Sequence, residues 1–469
     1  MNNFDVIVIG GGSAGFVAAS KAVSAGLKVA LAEKHKLGGG CPNYACVPSK
    51  TLLRSAEVLH LAENSAQFGI DVKEVKINFD KIMSSKDGIV NLLTGSPRLE
   101  RLLERLDITH LKGKASFADE HTVSVEGKNY SAKQFVIAAG SDPFVPPIEG
   151  LKEAGFINSI EASMLRKLPK RLVILGGGAV GCEQAQLFTR LHTKVTLIQR
   201  GGRILDREDS KISQEVAESF TKQGINILTN SEIIKAEKVK GGKKLTVTNP
   251  DGQIKLVADE LLVAVGRRAD LSALNLSRAN IKTDDKGRLV LDDYLRTSQP
   301  HIWAAGDAAG RYLFTHVAAY EGDIVGHNLA NPDKLKKPDY RVIPRATFTH
   351  PEVGSVGITE DEAKAKGINY VAASYPLKVM GRALTVRDTE GFIKLIVEKN
   401  TGQILGGHMA GSNAGEVIHE IALAMFAKIP VDVLGSMIHA FPTMAEAVSF
   451  VTERLLSRRD ERYAPGTLK

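Results

Sequence analysis

The sequence predicts an α/β fold: two βαβ modules of one layout, followed by a C-terminal α+β domain. Three observations predict it. Apolar runs stop twice at a glycine turn, Gly10-Gly11-Gly12-Ser13-Ala14-Gly15 and Gly176-Gly177-Gly178-Ala179-Val180-Gly181. Each turn leads into an amphipathic stretch and then a second apolar run. From about Arg341 the pattern changes to alternating strands and longer helices.

In chain order, Phe4–Ile9 is short and almost wholly apolar, as a strand of a buried parallel sheet must be. A helix is expected over 16–25, ended by Gly26, and a strand over 27–33. A long helical region is expected over 49–106. Thr122–Val125 turns at Glu126-Gly127 and leads to a strand ending at Ala138-Ala139-Gly140. The grammar then repeats: strand 172–175, glycine turn, helix 182–190, strand 195–199. A hairpin follows at Asn249-Pro250-Asp251-Gly252, and a last strand ends at Gly266. A strand over 301–305 precedes Gly306-Asp307. The C-terminal part shows a strand over 391–397 and helices over 414–427 and 444–456, which read as a separate α+β domain. The polar tail 457–469 is expected to be loosely held.

Composition narrows the function. A length of 469 residues suits roughly three domains. The formal net charge of +8 is small for this length and gives no nucleic-acid signal. No apolar run approaches the roughly 18 residues of a membrane span, and no secretory pattern opens the chain. A cytoplasmic enzyme without a nucleic-acid or membrane partner is expected. The three cysteines, Cys41, Cys46 and Cys182, exclude a disulfide framework. None of the 12 histidines clusters with Cys41 and Cys46, so no metal site is expected.

The glycine turns carry the first chemistry. They free backbone N–H groups at a helix N-terminus, where a pyrophosphate can sit. Two such turns, each between an apolar strand and a helix, predict two Rossmann-like dinucleotide sites. Glu33, 18 residues after Gly15, is placed to accept hydrogen bonds from a ribose diol. The matching place after Gly181 is Gln199, with Arg200 next and Arg203 and Arg207 near. A missing carboxylate beside arginine suits a 2′-phosphate, so NADPH is expected over NADH. The alternative is a solvated Arg200 and an NADH site.

The segment Gly40-Cys41-Pro42-Asn43-Tyr44-Ala45-Cys46-Val47-Pro48-Ser49-Lys50 carries the second. Residues i and i+5 of a regular helix lie too far apart for a disulfide, so Cys41 and Cys46 can pair only across a distorted helix start. A thiolate at a helix N-terminus has a lowered pKa. Two buried, unpaired thiols are the alternative. Cys182 reads as a packed apolar residue.

With these motifs the chain resembles the flavoprotein disulfide reductases, among them dihydrolipoamide dehydrogenase, glutathione reductase and mercuric reductase. The likeness runs over nearly the whole chain and includes Ala305-Gly306-Asp307 and a C-terminal Pro-Thr-x-x-Glu. It implies an FAD domain over 1–148 and 271–340, an NAD(P) domain over 149–270 and a dimerisation domain over 341–469, assembled as a homodimer. It implies FAD contacts at Gly10, Gly12, Ser13, Ala14, Gly15, Glu33, Lys34, Gly40, Ala139, Gly140, Ser141, Asp307, Val317 and Ala318. The nicotinamide dinucleotide falls to Gly176, Gly178, Ala179, Val180, Gly181, Gln199, Arg200 and Gly266. It further implies that Cys46 is the thiolate against the flavin and Cys41 the interchange thiol facing substrate. Lys50 sits near flavin N5 in this scheme and pairs with Glu183.

One departure matters. Members active on dithiols or glutathione carry His-Pro-Thr-x-x-Glu, supplied by the partner subunit, and the histidine moves protons at the interchange thiol. Here the segment is His439-Ala440-Phe441-Pro442-Thr443-Met444-Ala445-Glu446. Phenylalanine cannot transfer a proton, and general acid–base help is worth about 10²–10⁴-fold. Glu446 remains and His439 is the candidate replacement, although Pro442 fixes the chain direction there. Mercuric reductases also lack the histidine, but the tail here has no cysteine pair. The 2-ketopropyl-coenzyme M oxidoreductase/carboxylase branch shares the phenylalanine but has a histidine in place of Glu446. The expectation is an FAD-dependent NAD(P)H oxidoreductase that passes electrons through Cys41 and Cys46 to a small oxidant: a metal ion, a quinone-like compound or an unusual disulfide. The alternatives are a dihydrolipoamide dehydrogenase and a non-enzymatic FAD-containing redox sensor.

Overall fold

In a computed structural model, residues 2–459 are described. Strand β1 (Asn2–Ile9) runs parallel to β2 (Val29–Glu33), with Val8 opposite Leu31. On its other side β1 pairs in parallel with Lys128–Ile137, Val8 opposite Val136. The short strand Ile302–Ala304 returns from far along the chain to join that edge in parallel. Thr109–Lys112 closes the far side, and two antiparallel strands complete seven. Val6, Ile7, Val8, Phe135, Val136 and Ile137 are buried on both faces, which is why these runs show no polar alternation.

Helix α1 (Ser13–Ser24) begins three residues earlier than the sequence predicts, as does the matching helix Ala179–Arg190. The glycine turn is itself the first turn of the helix. Gly15 must be glycine there, since a Cβ would come within 1.9 Å of the Gly10 carbonyl oxygen; Gly181 stands in the same relation to Gly176 at 1.8 Å. The long helical region resolves into α2 (Gly40–Tyr44), α3 (Cys46–Glu63), Phe79–Thr94 and Ser96–Arg105. Residues 70–78 between them are irregular: Gly69 closes a short turn in the left-handed region, and Asn78 caps the next helix by accepting from Lys81 N at 3.0 Å.

The second module holds five parallel strands in the order Asn226–Leu228, Lys194–Ile198, Arg171–Leu175, Glu260–Val263 and Ile157–Asn158, beside a three-stranded antiparallel sheet. Asp142–Pro143 and Arg267–Arg268 pair antiparallel and join the two modules. The C-terminal part is a five-stranded antiparallel sheet with the helices Ala414–Phe426 and Glu446–Arg459. The expectation for the tail falls mostly on residues 460–469, which lie outside the described residues. No helix among the described residues is long and apolar enough to cross a membrane.

A buried ionic seam joins the second module to the C-terminal sheet. Asp209, fully buried at the N-cap of the helix Ser210–Lys222, receives Lys394 Nζ at 2.8 and 2.9 Å, and Lys394 also meets Glu360 at 2.6 Å. Burial pushes Asp209 up, but the hydrogen bonds and charge of Lys394 outweigh it and hold the carboxyl below its ordinary value of 3.8. A depressed carboxyl contributes stability above its unfolded pKa and loses it as pH falls through the folded one. Lys394→Met alone strands a buried carboxylate and is expected to cost about 3–5 kcal/mol by urea unfolding at neutral pH. The deficit should shrink below about pH 4, where Asp209 in the unfolded chain takes up a proton. A deficit independent of pH would contradict this account.

Candidate active site

Both glycine turns are built alike. Glu33 accepts Gly11 N–H and His35 N–H, each at 2.7 Å, so its carboxylate closes the first turn. In the second, Gln199 Oε1 accepts Gly177 N–H at 2.9 Å and its amide donates to Asp206 at 3.2 Å. Gln199 thus does the structural work of Glu33 without its charge. Arg200 and Arg207 are exposed and make no hydrogen bond or ion pair within the described chain, whereas Arg203 is tied to Asp361 at 3.1 Å.

One cleft of about 410 Å³ gathers most of the expected residues. From the first module it takes Gly10, Gly12, Ser13, Ala14, Glu33, Lys34, Gly40, Cys41, Cys46, Lys50, Ala139, Gly140, Ser141, Asp307 and Ala318. Val180, Glu183 and Gly266 reach it from the second. Gly15 and Val317 are buried behind its wall. Gly176, Gly178, Ala179, Gly181, Gln199 and Arg200 lie outside this cleft, along the second module.

The residues fit a dinucleotide. A Cβ at Gly40, Gly140 or Gly266 would meet nothing within 4 Å, so the backbone there faces open space. Asp307 is aimed from behind. Ser141 Oγ donates to it, and Arg267, which sequence reasoning missed, donates to Ser141 Oγ at 2.9 Å. Buried Glu321 accepts Gly306 N–H at 2.7 Å and so fixes the turn that carries Asp307. Thr315, at the start of the helix that carries Glu321, had no local sequence signal either; it meets the site only because that helix docks against Cys46.

Cys41 lies in α2 and Cys46 opens α3, with the break at Ala45 (φ −123°, ψ −91°). Asn43 stiffens the bend by donating to the carbonyls of Leu37 and Gly39, each at 2.9 Å. The break brings i and i+5 together as two free thiols in hydrogen-bond contact. Cys46 Sγ is also 3.7 Å from Thr315 Oγ1. The Cys41 hydrogen bond lowers the Cys46 pKa to about 6 against burial, helped by Thr315 and the charge of Lys50. Cys41 is pushed up, first by its hydrogen bond to Cys46 and then by burial. The interaction therefore favours the thiolate on Cys46 and the proton on Cys41. Ultraviolet titration of the reduced protein should show one thiolate forming near pH 6. Cys46→Ser should remove that step and Lys50→Met should move it to higher pH. An unchanged step in both variants would contradict the assignment.

Lys50 Nζ meets Glu183 Oε2 at 2.6 Å across the module boundary. Glu183 Oε1 accepts Phe348 N–H at 3.0 Å, and the Phe348 ring lies 4.7 Å from Lys50 Nζ. All three parts of the chain thus converge on this ion pair.

The C-terminal segment goes elsewhere. Phe441 is 80% exposed. His439, the candidate replacement, has a side chain 4% exposed and bonded to Glu420 at 2.9 Å, turned into its own domain. Glu446 accepts Thr443 N–H at 3.0 Å at the start of the last helix. No group of three or more His, Cys, Asp or Glu able to hold a metal occurs among the described residues.

Comparison with known proteins matches this architecture. Residues 4–322 match the pyridine nucleotide-disulphide oxidoreductase family, and residues 343–451 match its dimerisation domain. The mercuric reductase of Staphylococcus aureus is 38% identical over 448 residues, 95% of this chain and 81% of that protein. The dihydrolipoyl dehydrogenase of Bacillus subtilis is 34% identical over 460 residues, 95% of this chain and 96% of that protein. Among solved structures, the Cu(II) complex of the HOCl-induced flavoprotein disulfide reductase RclA from Escherichia coli superposes with a TM-score of 0.86. It is 29% identical and covers 97% of this chain and 100% of that one. The chain belongs to the pyridine nucleotide-disulphide oxidoreductase family and is an FAD-dependent enzyme that uses NAD(P)H.

Proposed function

We propose that this enzyme transfers electrons from NADPH through FAD and the Cys41–Cys46 pair to a soft metal ion. The observation that carries the reading is Phe441, with His439 locked on Glu420. Reducing a disulfide to two thiols consumes a proton beyond the hydride and needs an acid at the leaving thiolate. Reducing two Cu(II) to Cu(I), or Hg(II) to Hg(0), consumes no proton and releases the one left by NADPH oxidation. A site without an acid–base histidine suits the second stoichiometry, and thiolates prefer soft ions. The mercuric reductase relatives and the Cu(II)-bound structural neighbour support it.

Residues 1–148 and 271–340 would hold FAD, residues 149–270 the nicotinamide dinucleotide, and 341–469 the second subunit. Exposed Leu423, Phe426, Ile438 and Phe441 give the C-terminal domain an apolar surface of the kind a homodimer covers. Gly10, Gly12 and Glu33 would hold the adenosine half of FAD, and Asp307 its central chain. Bound FAD accepts a hydride and returns electrons. Cys46, ionised near neutral pH, is the sulfur poised to receive them, and Cys41 carries the proton and faces substrate. Lys50 supplies a fixed positive charge and Glu183 holds it in place. Val180, exposed on the cleft wall, would meet the nicotinamide.

The test is one acceptor panel on the purified dimer with NADPH and NADH: Hg(II), Cu(II), quinones, lipoamide and glutathione disulfide. Metal-ion reduction with NADPH, lost in Cys41→Ser, is expected. Robust lipoamide turnover would replace this reading with a dihydrolipoamide dehydrogenase, and a clear NADH preference would overturn the choice of nucleotide.

A further inference from the structure

We propose that the C-terminal domain positions the loop that recognises the NADPH 2′-phosphate, through the ionic seam behind it. The inference rests on the NADPH reading above and adds the device that makes the loop selective. The loop, residues 200–208, leaves Gln199 and folds under the second glycine turn. Leu205 N–H donates to the Gly177 carbonyl at 2.7 Å, and Ser213 Oγ donates to the Leu205 carbonyl at 3.1 Å. Arg200 and Arg207, the two exposed arginines without a partner, stand on this loop. A phosphate monoester dianion is the chemistry that two guanidinium groups hold.

Arg203 and Glu208 of the loop, and Asp209 directly after it, are spent on anchoring. Arg203 reaches Asp361 at 3.1 Å and donates to the carbonyls of Asp206 and Glu208 at 3.2 and 3.3 Å. Glu208 takes the fork of Arg345 at 2.8 and 3.0 Å. Asp209 holds Lys394 and accepts Glu360 N–H at 3.2 Å. Asp361, Arg345, Lys394 and Glu360 all belong to the C-terminal domain. Three ion pairs from residues 203, 208 and 209 therefore run to one domain. The bidentate pair and the buried pair fix geometry as well as energy.

Position decides selectivity here because the loop also carries a repulsive charge. Asp206 lies 3.2 Å from the Gln199 amide. A 2′-phosphate placed by Gln199 meets that carboxylate unless Arg200 and Arg207 are held where they outweigh it. Glu208, Asp209, Arg345 and Lys394 are positioning residues in this scheme and touch no nucleotide.

The experiment titrates FAD-loaded enzyme with 2′,5′-ADP and with 5′-ADP by calorimetry. These probes carry only the adenosine end, so no turnover is needed. Wild type should bind 2′,5′-ADP at least roughly tenfold more tightly, as charge-assisted contacts imply. Two paired variants leave no buried charge unmatched: Asp209→Asn with Lys394→Met, which keeps a side-chain cap for Lys211 N, and Glu208→Gln with Arg345→Gln. Either is expected to weaken 2′,5′-ADP by roughly tenfold while 5′-ADP changes little, and to raise KM for NADPH by more than it lowers kcat. A discrimination ratio that survives in the folded variants overturns the inference, as does equal weakening of both probes, which is what a purely structural seam would produce. A wild-type ratio near one overturns the NADPH reading itself, and the inference falls with it.

Discussion

The Cys46→Ser variant is expected to lose metal-ion and disulfide reduction by more than about 10³-fold while retaining its yellow flavin. The size follows from three losses at once. A serine hydroxyl does not ionise near neutral pH, so the thiolate that Cys41, Thr315 and Lys50 favour by lowering the Cys46 pKa to about 6 disappears. An oxygen cannot close a sulfur bridge with Cys41. A hydroxyl also binds soft ions poorly. Glu33, Asp307 and the glycine turns are untouched, so FAD content should match wild type, measured by absorbance on the denatured protein. NADPH oxidation by dissolved oxygen should persist, because that leak needs no sulfur. Acceptor reduction above about a tenth of the wild-type rate would sink the sulfur relay as the route of electrons.

Phe441→His is expected to raise lipoamide or glutathione disulfide turnover by roughly 10²-fold or more, with little effect on metal reduction. The position is 80% exposed on the C-terminal domain, so a histidine there displaces no core and should fold. Only one Glu446 oxygen is engaged, by Thr443 N–H, which leaves the other to orient the new imidazole. His439 would stay on Glu420, since its bond does not involve residue 441. Disulfide turnover should then follow the ionisation of the new histidine, and kcat/KM against pH for both acceptors separates the cases. If disulfide turnover stays flat, the missing histidine is not what excludes dithiol substrates.

Much of this was legible in the sequence because it rests on short local patterns. The runs Phe4–Ile9 and Leu172–Leu175 are buried on both faces, so their hydrophobicity is continuous and readable. The two glycine turns are packed so closely that a Cβ at Gly15 or Gly181 would fall 1.9 or 1.8 Å from a carbonyl oxygen, so only glycine fits at these positions. The helices start three residues earlier than the sequence predicts because the glycine turn and the first helical residues are one object. The segment 70–78 interrupts the expected helical region because Gly69 ends the preceding turn in the left-handed region and Ile70, Val72, Val75 and Ile77 are interspersed with Asp71, Lys73, Glu74 and Lys76 rather than spaced for a helix face. Arg267, Thr315, Glu321 and Phe348 could not be found from the sequence. Each acts through a partner far along the chain, such as Phe348 on Glu183 at a separation of 165 residues.

The identity of the two sulfurs, the two nucleotide turns and the phenylalanine at 441 were determined by the sequence alone, since each depends on which atoms a side chain possesses. Which thiol is favoured to ionise, which arginines are free and which group His439 bonds are set only by the tertiary structure. Those properties depend on distance and on exclusion of water: the same His439 that could move a proton in one fold is held by Glu420 in this one.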